Sequence, residues 1–218
     1  MSDQIKVTGM ILKAESHGEA DKRLVILTKE KGKISVFANG ARKATRGLSA
    51  ATEPFSFGEF TLREWKNSYS IADANIINYF EGFLESLDAA CFGMYFLELA
   101  DYYTRENNDE SEVLKLLYQS LRALLHEQYD NRLVKAIFEL KMIMINGEYP
   151  GPVKEYEYHD GALYTLDYIY RSSIEKLYSF SLTKELLDDV VFTAKIYVDQ
   201  FIDRKLKSLE ILQGLIYN

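Results

Sequence analysis

The hydrophobic period of this chain changes once, near Phe80, and that change constrains the fold more than any other feature. Before it, apolar residues recur at every second position. "IKVTGMIL" places Ile5, Val7, Gly9 and Ile11 on one face, and "KISVFAN" alternates through Ile34, Val36 and Ala38. "RLVILT" is a short apolar run, and "FSFGEFTLREW" and "SYSIADANIINYF" complete five strand-like segments. Gly18 sets the bend after the first strand, Gly32 in "KEKGK" suits a hairpin turn, and Gly58 stands where a bulge can bend the fourth strand. Five short strands in under 80 residues, with a small helical insert near "GLSAAT", predict a small closed barrel.

Beyond Phe80 the period is helical. Leu87, Ala90, Cys91 and Met94 follow i, i+3, i+4, i+7, as do Leu133, Ala136, Ile137 and Leu140. Val113, Leu116, Leu117, Leu121 and Leu124 form another stripe, and Leu187, Val190, Val191, Ala194, Val198 and Phe201 a fourth. "NNDES" and "YDN" are N-cap signals for the second and third helices, and "SSIE", Ser172 to Glu175, matches a capping box. The Gly/Pro-marked, Tyr-rich stretch at about 147–171 is predicted to be irregular. The expected fold class is α+β in two domains, 1–79 a five-stranded barrel and 80–218 helical.

Charge divides the same way. Residues 1–66 hold twelve Lys/Arg and eight Asp/Glu, a net of +4, whereas 67–218 hold fourteen and twenty-five, a net of −11. From Lys31 to Thr52 there are five basic residues and no acidic one. Such asymmetry suggests that the first part meets a polyanion and the second does something else. The longest apolar run, Ala89 to Leu97, is far short of the roughly 20 residues that span a bilayer. No secretory signal is readable, and a single cysteine, Cys91, excludes an internal disulfide and a multi-cysteine cage. The expected compartment is the cytoplasm, with no membrane partner.

The cationic loop "NGARKATRG" is the first candidate site. Gly40 and Gly47 allow backbone conformations closed to other residues, and Arg42, Lys43 and Arg46 can each meet a phosphate. Lys22 and Arg23 at the start of the second strand, and Lys33 on the third, would widen the surface. A solvated loop is the alternative for any cationic segment; its place on a barrel favours phosphate binding. Alternation turns Phe37 outward with Lys33, Ser35 and Asn39, so its ring either stacks on a base or packs, under a loop or against the helical domain. Trp65 shares a face with Thr61 and Arg63 and has the same two readings.

His17, Glu19 and Asp21 belong to a turn, and His126 and His159 lack partners at ligand spacing. Asp188 and Asp189 read as a solvated helix face. No nucleophile–base pair, phosphate loop or carboxylate cluster is present in the sequence, so neither a catalytic site nor a cofactor is expected.

The strand "GMILKAES", then "HGEADKRLVILT", "KGKISVFANGAR" and "PFSFGEF", in this order and spacing, resemble the N-terminal domain of the RecO family of bacterial recombination mediators. The tail "YVDQFIDRKLKSLEIL" resembles that family's end. The resemblance implies an OB-fold joined to a helical domain. It implies DNA repair through binding of single- and double-stranded DNA, strand annealing and help in loading the RecA recombinase, in the cytoplasm at the nucleoid. RecR and single-strand-binding protein are the implied partners. Many members carry a four-cysteine zinc site where this chain has "YPGPVKEY" and "GALYTLDY"; zinc is therefore not expected, and aromatic packing is expected to replace it as the local staple, a surface patch for a partner being the other reading. "DRKLKS" either meets an acidic partner tail or complements a helix C-terminus, and stays unassigned. The other functional readings are a protein-only adaptor and a DNA-processing nuclease.

Overall fold

A computed structural model describes residues 4–43, 47–66 and 68–216, with Leu215 and Ile216 by backbone alone. Five strands, β1 (Gln4–His17), β2 (Asp21–Thr28), β3 (Gly32–Ala38), β4 (Phe57–Trp65) and β5 (Ser68–Asn78), close into a barrel in the order β1-β2-β3-β5-β4. All neighbouring pairs are antiparallel except β3 with β5. Closure removes the unpaired edges that a five-stranded sheet would otherwise present. The alternating residues point inward as predicted: Val7, Ile11, Leu24, Ile26, Ile34, Val36, Phe60, Leu62 and Ile71 form one buried cluster. Beside the register shift at Phe57/Gly58, β4 passes so close to β5 that a Cβ on Gly58 would lie 2.3 Å from the Asn75 carbonyl oxygen. Among the described residues the helical insert is a 3-10 turn, Ala50–Thr52.

Six α-helices follow among the described residues: α1 (Leu87–Tyr103), α2 (Ser111–Leu124), α3 (Asn131–Ile145), α4 (Ala162–Arg171), α5 (Lys184–Phe201) and α6 (Lys207–Ile216). None is long and apolar enough to cross a membrane. The chain divides into two compact units, Met1–Glu81 with Leu97–Leu114, and Gly82–Phe96 with Lys115–Asn218. In the first, Asp101 of α1 receives Lys13 Nζ of β1 at 2.7 Å and Lys33 Nζ of β3 at 3.0 Å. Burial by itself would raise the Asp101 carboxyl, but these two lysines hold it below the usual carboxylate range.

The stripes of α2 and α3 are buried as their period implies, and on α5 Leu187, Val190, Ala194 and Val198 are buried while Val191 and Phe201 are half-buried. Asp130 caps α3, its carboxylate accepting from Arg132 N at 2.7 Å. On α1 the stripe marks the helix but not its core face: Leu87 and Met94 are exposed, while Ala89, Phe92, Tyr95 and Phe96 are buried. A helix apolar on nearly every side does not reveal by spacing which side packs.

The stretch at 147–171 is less irregular than predicted, because α4 occupies its second half. Ala162, Thr165, Leu166 and Ile169 are its buried face, and Lys141 of α3 donates to the carbonyls of Ile169, Tyr170 and Ser172 at its C-terminus. The predicted capping box is not formed. Ser172, the cap residue of that box, instead ends α4; Ile174–Lys176 is a 3-10 turn, and Glu175 is paired with Lys115 of α2, which holds its carboxyl down to about 2.

The first half of the stretch is stapled by tyrosines. Tyr156 stacks on Phe192 with centroids 4.2 Å apart and donates to Asp189 Oδ1 at 2.8 Å. The Tyr158 hydroxyl accepts from Val153 N and pairs with Thr193 Oγ1, both at 2.9 Å, and Tyr197 donates to the Gly151 carbonyl. Asp189 is therefore not on a solvated face: its side chain is 1% exposed and also accepts from the backbone N and ring Nδ1 of His159. Only Asp188, paired with Arg132, lies at the surface as predicted. Burial would raise the Asp189 carboxyl, and these donors hold it low.

Candidate nucleic-acid interface

Two apolar plugs fix the cationic loop. Ala41 and Leu48 both belong to the barrel's core cluster, 0% and 7% exposed, and so tie residues 41–43 and 47–48 to the barrel. Backbone bonds set its start: Gly40 N donates to Asp21 Oδ1 at 2.6 Å, Arg42 N to the Ala20 carbonyl at 2.9 Å, and Lys43 N to the Gly40 carbonyl. Gly40 and Gly47 have φ of +67° and +65°, the left-handed region that their lack of a Cβ permits. Asp21 is not in the turn, which is residues 18–20: it is the first residue of β2, paired with His17 of β1, and its carboxylate holds the start of the loop. The Arg42 and Lys43 side chains are exposed. Arg46 lies outside the described residues.

The other candidates separate. Lys22 follows the inward alternation of Leu24 and Ile26, so it is buried at the barrel end, with Nζ 2.5 Å from Glu53 Oε1 and 3.3 Å from Thr52 Oγ1. Lys33 points outward, but Asp101 takes its ammonium by carboxylate and carbonyl. Both lysines, grouped with the loop by sequence, are thereby withdrawn from the candidate surface.

Arg23 and Phe37 remain, and the register brings a third residue to them. Arg23 pairs with Phe37, Phe37 with Ser70, and Ser70 with Arg63, one residue from each of β2, β3, β5 and β4. All four alternate with core residues and so share the outer face. Strands about 4.8 Å apart put the two arginine backbones roughly 14 Å apart along the curved sheet, and nearer than that in a straight line. Arg23 donates from Nε to Ser35 Oγ at 3.1 Å, and Glu15 of β1 is its other cross-strand neighbour. The half-buried Phe37 ring meets His17 edge-on, centroids 5.4 Å apart. Trp65, 67% exposed, ends β4 on the face of Arg63. Arg63 was not singled out as a site by sequence; strand order, which places β5 between β3 and β4, is the missing signal. The arrangement offers cations for phosphates and ring faces for bases. Among the described residues no group of three or more His, Cys, Asp or Glu is placed to hold a metal ion.

The family model described as "Recombination protein O N terminal" matches residues 1–80, and that described as "Recombination protein O C terminal" matches residues 84–151. The DNA repair protein RecO of Clostridium novyi is 27% identical across 96% of this chain and 94% of its own length. That of Caldicellulosiruptor bescii is 35% identical across 66% of this chain and 58% of its own length, and that of Bacillus subtilis 31% across 66% and 56%. The match to the last two thus spans less than two thirds of their length. With a closed barrel of OB topology, a following set of helices and two successive family matches, the chain belongs to the recombination protein O family.

Proposed function

We propose that this is a DNA repair protein whose barrel holds single-stranded DNA on the face of Arg23, Phe37, Arg63 and the rim loop of Arg42, Lys43 and Arg46. The observation that carries this reading is the row Arg23–Phe37–Ser70–Arg63, which sets an aromatic ring between two arginines on the barrel from which the exposed Arg42 and Lys43 also project. Guanidinium groups meet phosphates bidentately, and rings stack on bases of any sequence. A strand held by its backbone on an open face keeps its pairing edges accessible, and its charge is partly neutralised. A second strand can then anneal to it. Family membership extends the reading to duplex DNA as a further ligand, to assistance in RecA loading with RecR, and to an encounter with single-strand-binding protein. The mode of action is binding and not bond cleavage.

Affinity for a labelled single-stranded oligonucleotide, titrated with salt, tests the reading. Each phosphate contact contributes about 0.7 to the slope of log affinity on log salt. Arg42→Glu with Lys43→Glu should therefore reduce the slope by about 1.4, with the fold intact by circular dichroism. An unchanged slope removes the loop from the interface. Failure of the unaltered protein to bind DNA favours an adaptor that docks proteins only, and cleavage of the oligonucleotide by the pure protein favours a nuclease.

A further inference from the structure

The start of α1 carries a row of large apolar side chains that its own unit does not cover. Leu84, Leu87 and Met94 are 90%, 70% and 43% exposed, with Cys91 half-buried between the last two. Leu87, Cys91 and Met94 fall at i, i+4 and i+7 of the helix, and Leu84 precedes them by three residues at the end of a 3-10 turn. The core side of the helix is occupied separately, by Ala89, Phe92, Tyr95 and Phe96. A contiguous exposed apolar row of this kind marks an interaction surface.

Charge selects the occupant. From residue 67 to residue 104 the chain has six Asp/Glu and no Lys or Arg. Glu85 and Asp88, both exposed, lie on the chain between and beside the apolar residues. Nucleic acid and anionic lipid are repelled by such a rim, and a second copy would bring acid against acid. We infer that this row is a docking face for an amphipathic helix of a partner protein, with apolar residues at i, i+3, i+4 and i+7 and with Lys or Arg at its flanks. Helix-in-groove recognition supplies the apolar contact, and the flanking cations meet Glu85 and Asp88. The inference does not rest on the DNA-binding reading, since the barrel face is a separate surface of opposite charge.

Cys91, the one cysteine of the chain, lies within the row and reports its occupancy. The protein would be labelled with a maleimide in the presence of a synthetic Leu/Lys peptide of that helical pattern. A peptide of the same composition in scrambled order is the control. The patterned peptide should slow labelling and the scrambled one should not. Leu84→Asp with Leu87→Asp, at exposed positions that leave the circular dichroism unchanged, should weaken the peptide's affinity about tenfold or more. Equal protection by the scrambled peptide, or unweakened binding by the variant, overturns the inference. So does protection that rises with protein concentration in the absence of peptide, which assigns the face to a second copy.

Discussion

Successive side chains on a strand point to opposite faces, so Lys22 and Arg23, adjacent in the chain, do different things. Lys22 ends buried against Glu53 and Thr52, and Arg23 ends exposed beside Phe37. Lys22→Ala should cost about 1 kcal/mol in urea denaturation, because Glu53 is itself half in water, and should leave the salt slope of DNA binding unchanged. Arg23→Ala should leave stability within about 0.5 kcal/mol and lower that slope by about 0.7. A slope lowered by Lys22→Ala would reverse the two assignments. The inward direction of Lys22 was already legible, since it follows the alternation of Leu24 and Ile26. The loss of Lys33 to Asp101 was not, because that partner lies 68 residues along the chain and only tertiary packing brings it near. Asp189 was misread for a related reason: a carboxylate on a helix reads as solvated until the segment that donates to it is in place.

At the level of elements, periodicity identified every strand and the four long helices, because burial of one face imposes it. It could not find α4 within a Tyr- and Gly-rich stretch, where Lys141 of α3, far upstream, completes the helix end. Aromatic packing of this segment was legible in composition; its geometry on α5 was not. This stapling has a measurable consequence. Tyr156→Phe removes one donor from the buried Asp189 carboxylate and should cost about 1–2 kcal/mol. Asp189→Ala leaves the Tyr156 hydroxyl and the His159 amide without their acceptor, and should cost more, with faster hydrogen exchange at His159 N. A chelator should leave the thermal midpoint of the unaltered protein unchanged, and a drop would show that a metal contributes to this segment.

Over the whole molecule, each unit contains a buried carboxylate that its partners hold below the usual range, Asp101 with the barrel and Asp189 among the helices. For both, burial opposes ionisation and is outweighed by neighbouring donors. A carboxyl whose folded pKa is depressed stabilises the fold at pH above its unfolded value, about 3.9 for Asp, and that contribution is lost as pH falls through the folded value. Stability should therefore be nearly flat from about pH 6 to about pH 4.5 and then decline toward pH 3 and below. Asp101→Asn keeps the size of the side chain but removes the charge that Lys13 and Lys33 neutralise. It should lower stability near neutrality, by leaving two partly buried ammonium groups with a weaker acceptor, and should flatten the acid decline. Thermal midpoints of the two proteins, followed through that range, should converge as pH falls, because protonation removes from the parent what the substitution has already removed. Parallel curves would mean that Asp101 ionises alike folded and unfolded, and the pairing of β1 and β3 with α1 through its carboxylate would then contribute nothing to stability.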